Sequence, residues 1–320
     1  MKILFTGASS FTGYWFAREL AEVGHEVVMT FRNKTDGYDG VRRSRVEKAL
    51  ELGRSVHGCS FGERQFMELI DEEPGWDLLC HHAADVTNYK SVYFDVAAAL
   101  QSNTHNLRAV LEALQAKGCR KVLLTGSVFE AGEGAGSDGL RAFSAYGLSK
   151  GLTAETFAYW TQIQGMRLAK FVIPNPFGPY EEPRFTAYLV RSWYEGKIPA
   201  VNTPADVRDN IHVSLLAKVY ADFAGGLPAG PGFQKLSPSG YVENQGGFAQ
   251  RFARNMHDRL GLPCELELKR QTEFAEPRIR INTDPVDEGR LGWDETQAWD
   301  ELAEYYRQLF TIESRGNADF

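Results

Sequence analysis

The chain has little of what would mark several function classes. Its four cysteines, Cys59, Cys80, Cys119 and Cys264, stand far apart with no C-x-x-C pair. That pattern suggests neither a disulfide framework nor a cysteine zinc site, and suits a reducing compartment. No window approaches the ~20 apolar residues of a membrane span. Met1 leads straight into an apolar strand, without the basic and long apolar regions of a secretory leader. The expectation is a cytoplasmic protein with no membrane contact. Positive charge is short as well: 35 Lys and Arg against 42 Asp and Glu leave a net charge of −7. Nucleic acid and anionic membrane, which need a basic face to displace counterions, are thereby disfavoured as partners. A local basic pocket for a diphosphate is compatible with that balance. Residues 35–75 carry no internal repeat or low-complexity tract. With 43% hydrophobic and 24% charged residues, the 320-residue chain is an ordinary globular one, long enough for one large or two moderate domains.

What is present begins at Met1. Residues 1–13 read as one buried strand, Ile3-Leu4-Phe5, running through a glycine turn at Gly7 into a helix. From Phe11 to Val23 the helical period puts Phe16, Leu20 and Val23 on one side and Arg18, Glu19 and Glu22 on the other. A helix whose first amides face a strand end makes an anion site, because unsatisfied N–H groups and the helix dipole both favour phosphate. Gly13 lets helix and strand pack closely, as in the dinucleotide fingerprint. The fingerprint is imperfect: a G-x-x-G-x-x-G would need glycine where Ser10 stands. An ordinary strand-turn-helix opening is the competing reading of this stretch.

A second strand follows at 24–30, and its tip reads Phe31-Arg32-Asn33-Lys34 with no carboxylate before Asp36. In NAD-binding sheets an acidic residue here takes the adenosine ribose, whereas arginine pairs with the 2′-phosphate of NADP. Arg32 therefore favours NADP(H), unless it only covers the adenine face. A short strand around 54–57 and a buried one at 76–80 come next, the latter ending in His81-His82-Ala83-Ala84. Adjacent strand residues point opposite ways and no further ligand stands at metal spacing, so no metal is expected. Apolar positions Val96, Leu100, Leu107, Val110, Leu111 and Leu114 predict one long helix from about 91 to 116. The strand at 120–125 ends in the hydroxyls of Thr125 and Ser127. The glycine-rich loop at 130–139 reads either as a mobile cover for substrate or as a bland surface loop. Tyr146 and Lys150, the only Y-x-x-x-K pair in the chain, share one helix face. An ammonium beside a phenol favours the phenolate, which would make Tyr146 usable as a general acid/base.

In order and spacing these features resemble the extended short-chain dehydrogenase/reductase family, the group of nucleotide-sugar epimerases, dehydratases and reductases. The resemblance rests on Thr6-Gly7 and Gly13, His82-Ala83-Ala84, Asn103, Thr125 three residues before Val128-Phe129, and Tyr146-x-x-x-Lys150. It continues through Asn175-Pro-Phe-Gly-Pro179, Arg208-Asp-Asn-Ile-His-Val213 and Leu291-Gly-Trp293. It implies Tyr146 as general acid/base, Thr125 on the reacting oxygen with Ser127 as the competing hydroxyl, Lys150 on the nicotinamide ribose, and Asn103 completing the set. Gly7, Ser9, Ser10, Phe11, Thr12, Gly13, Arg32, His82, Ala83, Ala84 and Pro174 would line the cofactor. Asn175 would meet substrate and Arg208 would grip its diphosphate, unless Arg208 pairs locally with Asp206 or Asp209. Two departures stand out. Phe31 replaces the aspartate usual in NAD-retaining epimerases, and Gly126-Ser127 stands where 4,6-dehydratases carry an Asp-Glu pair, which argues against dehydration.

The fold expected is α/β: a doubly wound, mainly parallel Rossmann sheet over 1–174, and a smaller substrate-binding domain over 175–320 with segments returning to the first. The function expected is hydride transfer at a ring carbon, C4, of a nucleotide-diphosphate sugar, by an epimerase or a 4-keto-sugar reductase using NADP(H) in preference to NAD(H). The alternatives are a reductase of a non-sugar carbonyl and a non-catalytic NADP-sensing protein. By analogy with the family, a homodimer would form through the helices near 91–116 and 144–164.

Overall fold

The first strand shows how the molecule is layered. Ile3, Leu4 and Phe5 are all fully buried, and alternation sends Ile3 and Phe5 into one hydrophobic core and Leu4 into another. A strand with two buried faces belongs in the middle of a sheet covered on both sides. The structure, a computed structural model, describes the backbone of residues 1–316 and the side chains through residue 311.

The first part of the chain runs β1 (Lys2–Thr6), α1 (Phe11–Glu22), β2 (Glu26–Phe31), α2 (Gly40–Ala49), β3 (Arg54–His57), α3 (Arg64–Glu72), β4 (Leu78–His81), α4 (Val96–Asn103), α5 (Leu107–Ala116) and β5 (Lys121–Ser127). It continues with β6 (Ala135–Gly136), α6 (Ala145–Ile163), β7 (Arg167–Ile173), β8 (Asn175–Phe177), α7 (Phe185–Tyr194), β9 (Ala200–Val201), β10 (Val207–His212) and α8 (Val213–Gly225). The last part comprises β11 (Gly232–Leu236), β12 (Pro238–Ser239), β13 (Tyr241–Asn244), α9 (Gln245–Leu260), β14 (Glu267–Leu268), β15 (Ile279–Ile281), β16 (Asp284–Pro285) and α10 (Glu295–Gly316).

Seven strands form the main sheet in the order β11-β7-β5-β4-β1-β2-β3, and every pairing in it is parallel. The order reverses between β1 and β4, so the carboxyl ends of those two strands open the crevice where doubly wound sheets bind ligands. Helices α1 and α8 cover one face, and α3, α5 and α6 cover the other. A third core is built by α7, α9 and α10 with Phe177 and Val201. The smaller sheet runs β13-β10-β15-β6, with β8 also pairing β10.

The second half of the chain does not stay apart from the first. Strand β11 extends the edge of the main sheet beside β7, and Tyr220 of α8 stacks on Phe16 of α1 with ring centroids 4.0 Å apart.

Two expectations are corrected. The single helix foreseen from 91 to 116 is two helices, because Asn106 takes a left-handed backbone (φ 50°) and its amide donates to the Gly62 carbonyl at 2.9 Å. Asparagine tolerates that conformation better than most residues, so the period continues while the helix does not. The loop at 130–139 is not a free cover: Ala135 and Gly136 pair with Ile281 and Arg280 of β15, and Glu130 and Glu133 are buried.

Candidate active site at the sheet crevice

The turn after β1 is held from within. Ser10, at the place of the missing glycine, caps α1: its hydroxyl accepts from the Gly13 amide at 3.1 Å and donates to the Gly7 carbonyl at 2.9 Å. A Cβ at Gly13 would lie 2.1 Å from the Gly7 oxygen, and one at Gly7 would lie 2.7 Å from the Ala83 amide nitrogen. The loop is therefore drawn in as tightly as backbone allows, and no acidic residue occupies the first turn of α1. These residues fit a dinucleotide pyrophosphate, whose charge would meet the α1 amides.

His82 lies beneath this turn. Its Nε2 is 3.0 Å from the Ser10 hydroxyl and 3.1 Å from that of Thr12, and its Nδ1 is 2.9 Å from the Thr125 hydroxyl. It thus joins the turn to β5 from inside the fold, and is buried together with Thr125. Ala83 and Ala84 stand half-buried at the β4 tip.

On the other side of β5, helix α6 comes close because of Gly147, where a Cβ would lie 2.2 Å from the Phe129 carbonyl oxygen. Ser144 caps this helix through the Gly147 amide at 3.0 Å. Lys150 is buried and donates to the Thr125 carbonyl at 2.5 Å; burial lowers its pKa to about 8. Tyr146 is half-buried, with its ring edge-on to Tyr89 at 5.6 Å and to Phe94 at 6.1 Å. Burial, aided by the charge of Glu130, raises its pKa. The expected lowering by Lys150 is not what this structure shows, because the ammonium is directed at a backbone carbonyl and desolvation of the phenol dominates. Asn103 braces the set: its side-chain oxygen accepts from the Asp85 amide at 2.8 Å and its amide donates to Thr153 of α6 at 3.2 Å. The Ser127 hydroxyl accepts from the Phe129 amide at 3.2 Å.

A family model described as the NAD dependent epimerase/dehydratase family matches residues 3–223, a span that contains the turn, the β5 tip and α6. The chain belongs to the NAD-dependent epimerase/dehydratase family. Among solved structures, it is similar to a UDP-glucose 4-epimerase from Thermotoga maritima with UDP-glucose (18% identity, TM-score 0.71, covering 97% of this chain and 100% of that one). It is also similar to a UDP-glucuronic acid 4-epimerase from Bacillus cereus in complex with UDP-glucuronic acid and NAD (16%, 0.69, 97% and 100%). A third is a dTDP-glucose 4,6-dehydratase from Streptomyces venezuelae with NAD bound (18%, 0.68, 96% and 97%). At these identities the likeness is one of fold. Comparison with curated proteins finds no match.

Other residues of this epimerase/dehydratase family member divide by position. Arg32 is exposed just beyond β2. Sequence reasoning passed over Arg42 of α2, which donates to the Ser9 hydroxyl at 3.0 Å and lies over the Tyr38 ring. It also passed over the buried Arg45, which holds the Ser9 carbonyl at 3.0 Å. Their spacing on a helix that approaches the turn was the available signal. Pro174 is buried and Asn175 half-buried at the start of β8. Arg208 is taken up by the protein itself: it pairs with Glu276 at 3.0 Å and Asp206 at 3.4 Å, and donates to the carbonyls of Val207, Pro277 and Arg278. Among the described residues no His, Cys, Asp and Glu grouping could hold a metal, and no helix is long and apolar enough to cross a membrane.

Burial holds His81, His82 and His212 neutral, with pKa values lowered to about 3. A histidine whose folded pKa is depressed binds its proton in the unfolded chain first, so its stabilisation is present above about pH 6.5 and is lost as pH falls toward 3. Buried Glu181, raised to about 8, works the other way, gaining stability as pH falls from 8 to its ordinary range. The three imidazoles outweigh Glu181 and the smaller upward shifts that burial gives Asp209 and Glu288. Urea unfolding at pH 7 and pH 5 should therefore show lower stability at pH 5, on the order of 1 kcal/mol per pH unit once the pH is below about 6.5.

Proposed function

We propose that this protein moves a hydride at a ring carbon, C4, of a nucleotide-diphosphate sugar, as a sugar-nucleotide epimerase or a 4-keto-sugar reductase. The observation that carries the reading is the buried Lys150 one helical turn from Tyr146, with its ammonium on the β5 tip beside the crevice. When bound, the dinucleotide supplies the acceptor and donor of hydride. Gly7, Ser9, Ser10, Phe11, Thr12, Gly13, Ala83, Ala84 and Pro174 would hold it, with Lys150 toward its nicotinamide ribose.

Tyr146 takes the proton of the substrate hydroxyl in one direction and returns it in the other. Of the two β5 hydroxyls, Thr125 is engaged by His82 through its side chain and by Lys150 through its carbonyl. In our reading Thr125 supports these two groups, while Ser127, further out on the strand, meets the reacting oxygen and Asn175 meets the sugar. The family description spans epimerases and dehydratases, and an epimerase would regenerate its cofactor. Gly126-Ser127, with no adjacent carboxylate pair, supports neither loss of water nor a 4,6-dehydratase.

Arg32, with Arg42 beside Ser9 and no acid at the β2 tip, supports NADP(H) over NAD(H). A second reading, reduction of a non-sugar carbonyl, draws on Arg208, whose guanidinium already has five protein acceptors and would have to give some up to clamp a diphosphate. A homodimer through α6 is supported by Leu148, Leu152, Tyr159 and Ile163, which form one exposed apolar stripe at helical spacing.

Incubation with UDP-, GDP-, CDP- and dTDP-sugars, with and without NADPH, tests the reading. Isomer conversion without net NADPH loss identifies an epimerase, and stoichiometric consumption with 4-keto substrates a reductase. Silence with every sugar moves the assignment to a non-sugar carbonyl. Tyr146→Phe should remove nearly all turnover, a loss of at least about 100-fold, while cofactor binding persists; near-normal turnover would refute the role of Tyr146. Arg32→Ala should weaken NADP(H) more than NAD(H) by fluorescence titration, and equal losses would deny it the 2′-phosphate. Light scattering after size exclusion should give twice the 35.8 kDa of one chain, reduced to the monomer by Ile163→Glu.

A further inference from the structure

Behind the proposed acid/base pair lies a chain of charges, buried at Glu130, Lys170 and Glu133 and reaching the surface at Lys235, that the reaction as described does not use. Glu130, fully buried, accepts from the Ser127 amide at 2.7 Å through Oε1. Its Oε2 lies 2.6 Å from the Lys170 ammonium and has no other polar partner. Lys170, on β7, also donates to Glu133 at 2.7 Å, and Glu133 meets Lys235 of the edge strand β11 at 2.9 Å.

The segment is fixed in place. Arg280 of β15 donates to the carbonyls of Val128 at 2.9 Å and Glu130 at 2.5 Å. On α6, Gly147 admits the Phe129 carbonyl, and a Cβ at Gly151 would lie 3.9 Å from the Glu130 Cβ. Glu130 therefore packs against the turn of α6 that carries Tyr146 and Lys150. Replacing a sealed ion pair by apolar side chains of similar size is often neutral or stabilising, so packing alone does not account for the pair.

We propose that Glu130, balanced by Lys170, is a positioning residue that sets the ionisation of Tyr146 and Lys150 from inside the fold. The inference rests on Tyr146 being the acid/base. The charged and titratable groups around the pair can be named. Glu130, Arg184 and Tyr89 act on Tyr146. Glu130 and Lys170 act on Lys150, whose charge in turn helps keep His81 and His82 neutral. The Glu130 carboxylate favours the protonated form of both phenol and amine, and the Lys170 ammonium opposes it. The ion pair thus makes two opposite corrections: removing Lys170 leaves the Glu130 carboxylate uncompensated, whereas removing Glu130 leaves the Lys170 ammonium on Glu133.

The test follows from that opposition. Side-chain NMR of isotope-labelled lysines, with Lys150 assigned by its absence in Lys150→Met, reads the ammonium without substrate or cofactor. Glu130→Gln should lower the Lys150 midpoint by about one pH unit, and Lys170→Met should raise it by a similar amount. The acid limb of the turnover profile should move in the same directions. Folded variants with unmoved midpoints, or midpoints moving the same way, would overturn the proposal. If one variant fails to fold, the other carries the test with its own sign. If both fail, the pair is a folding element and the proposal falls. An inactive Tyr146→Phe with unmoved midpoints defeats this inference alone, whereas an active Tyr146→Phe with shifted midpoints defeats the functional reading and not the electrostatics.

Discussion

The contact between Gly13 and the Gly7 carbonyl governs the site, since a single methyl group at position 13 would come 2.1 Å from that oxygen. Because nothing intervenes, the amino end of α1 sits directly on the end of β1. The space beneath is filled by His82, which ties the turn to the strand carrying Thr125. Ser10 fits this arrangement better than the glycine of the strict fingerprint would. Its hydroxyl caps the helix and reaches the imidazole, two hydrogen bonds that a glycine could not make. The departure from the motif is therefore a substitution of side-chain bonding for backbone freedom.

Desolvation, more than pairing, sets the charges near the crevice. The imidazoles are neutral because they are sealed in, Lys150 is lowered for the same reason, and Tyr146 is raised. The pairing of Tyr146 with Lys150 on one helix face is real in sequence. In the folded chain, however, the ammonium's hydrogen bond goes to the Thr125 carbonyl. Low dielectric makes the remaining buried charges, Glu130 and Lys170, influential beyond their immediate contacts.

The later part of the chain acts as a brace for the earlier one. Arg280 holds the segment after β5, β11 extends the main sheet, and α8 packs Tyr220 on Phe16. The closing Leu291-Gly-Trp293 has a like role: Trp293 donates to Ser214 at 2.8 Å, and Ser214 is 2.8 Å from His212. This places Ser214 in a hydrogen-bonded chain joining α8 to the segment before α10. Motifs far apart in sequence are thus parts of one support.

The sequence by itself determined the doubly wound sheet, the turn at Gly7–Gly13, the helix carrying Tyr146 and Lys150, and family membership. All of these depend on local period, glycine placement and spacing along the chain. It could not show that α4 and α5 are separate, because a left-handed Asn106 leaves the apolar period intact. Nor could it show that Arg208 is occupied, that Arg42 reaches Ser9, or that Glu130 faces Lys170. Those depend on which residues the fold brings together across tens of positions. Ionisation belonged to the tertiary structure, for the physical reason that apolar period foretells which face of an element is buried but not which charges the fold sets beside a polar group.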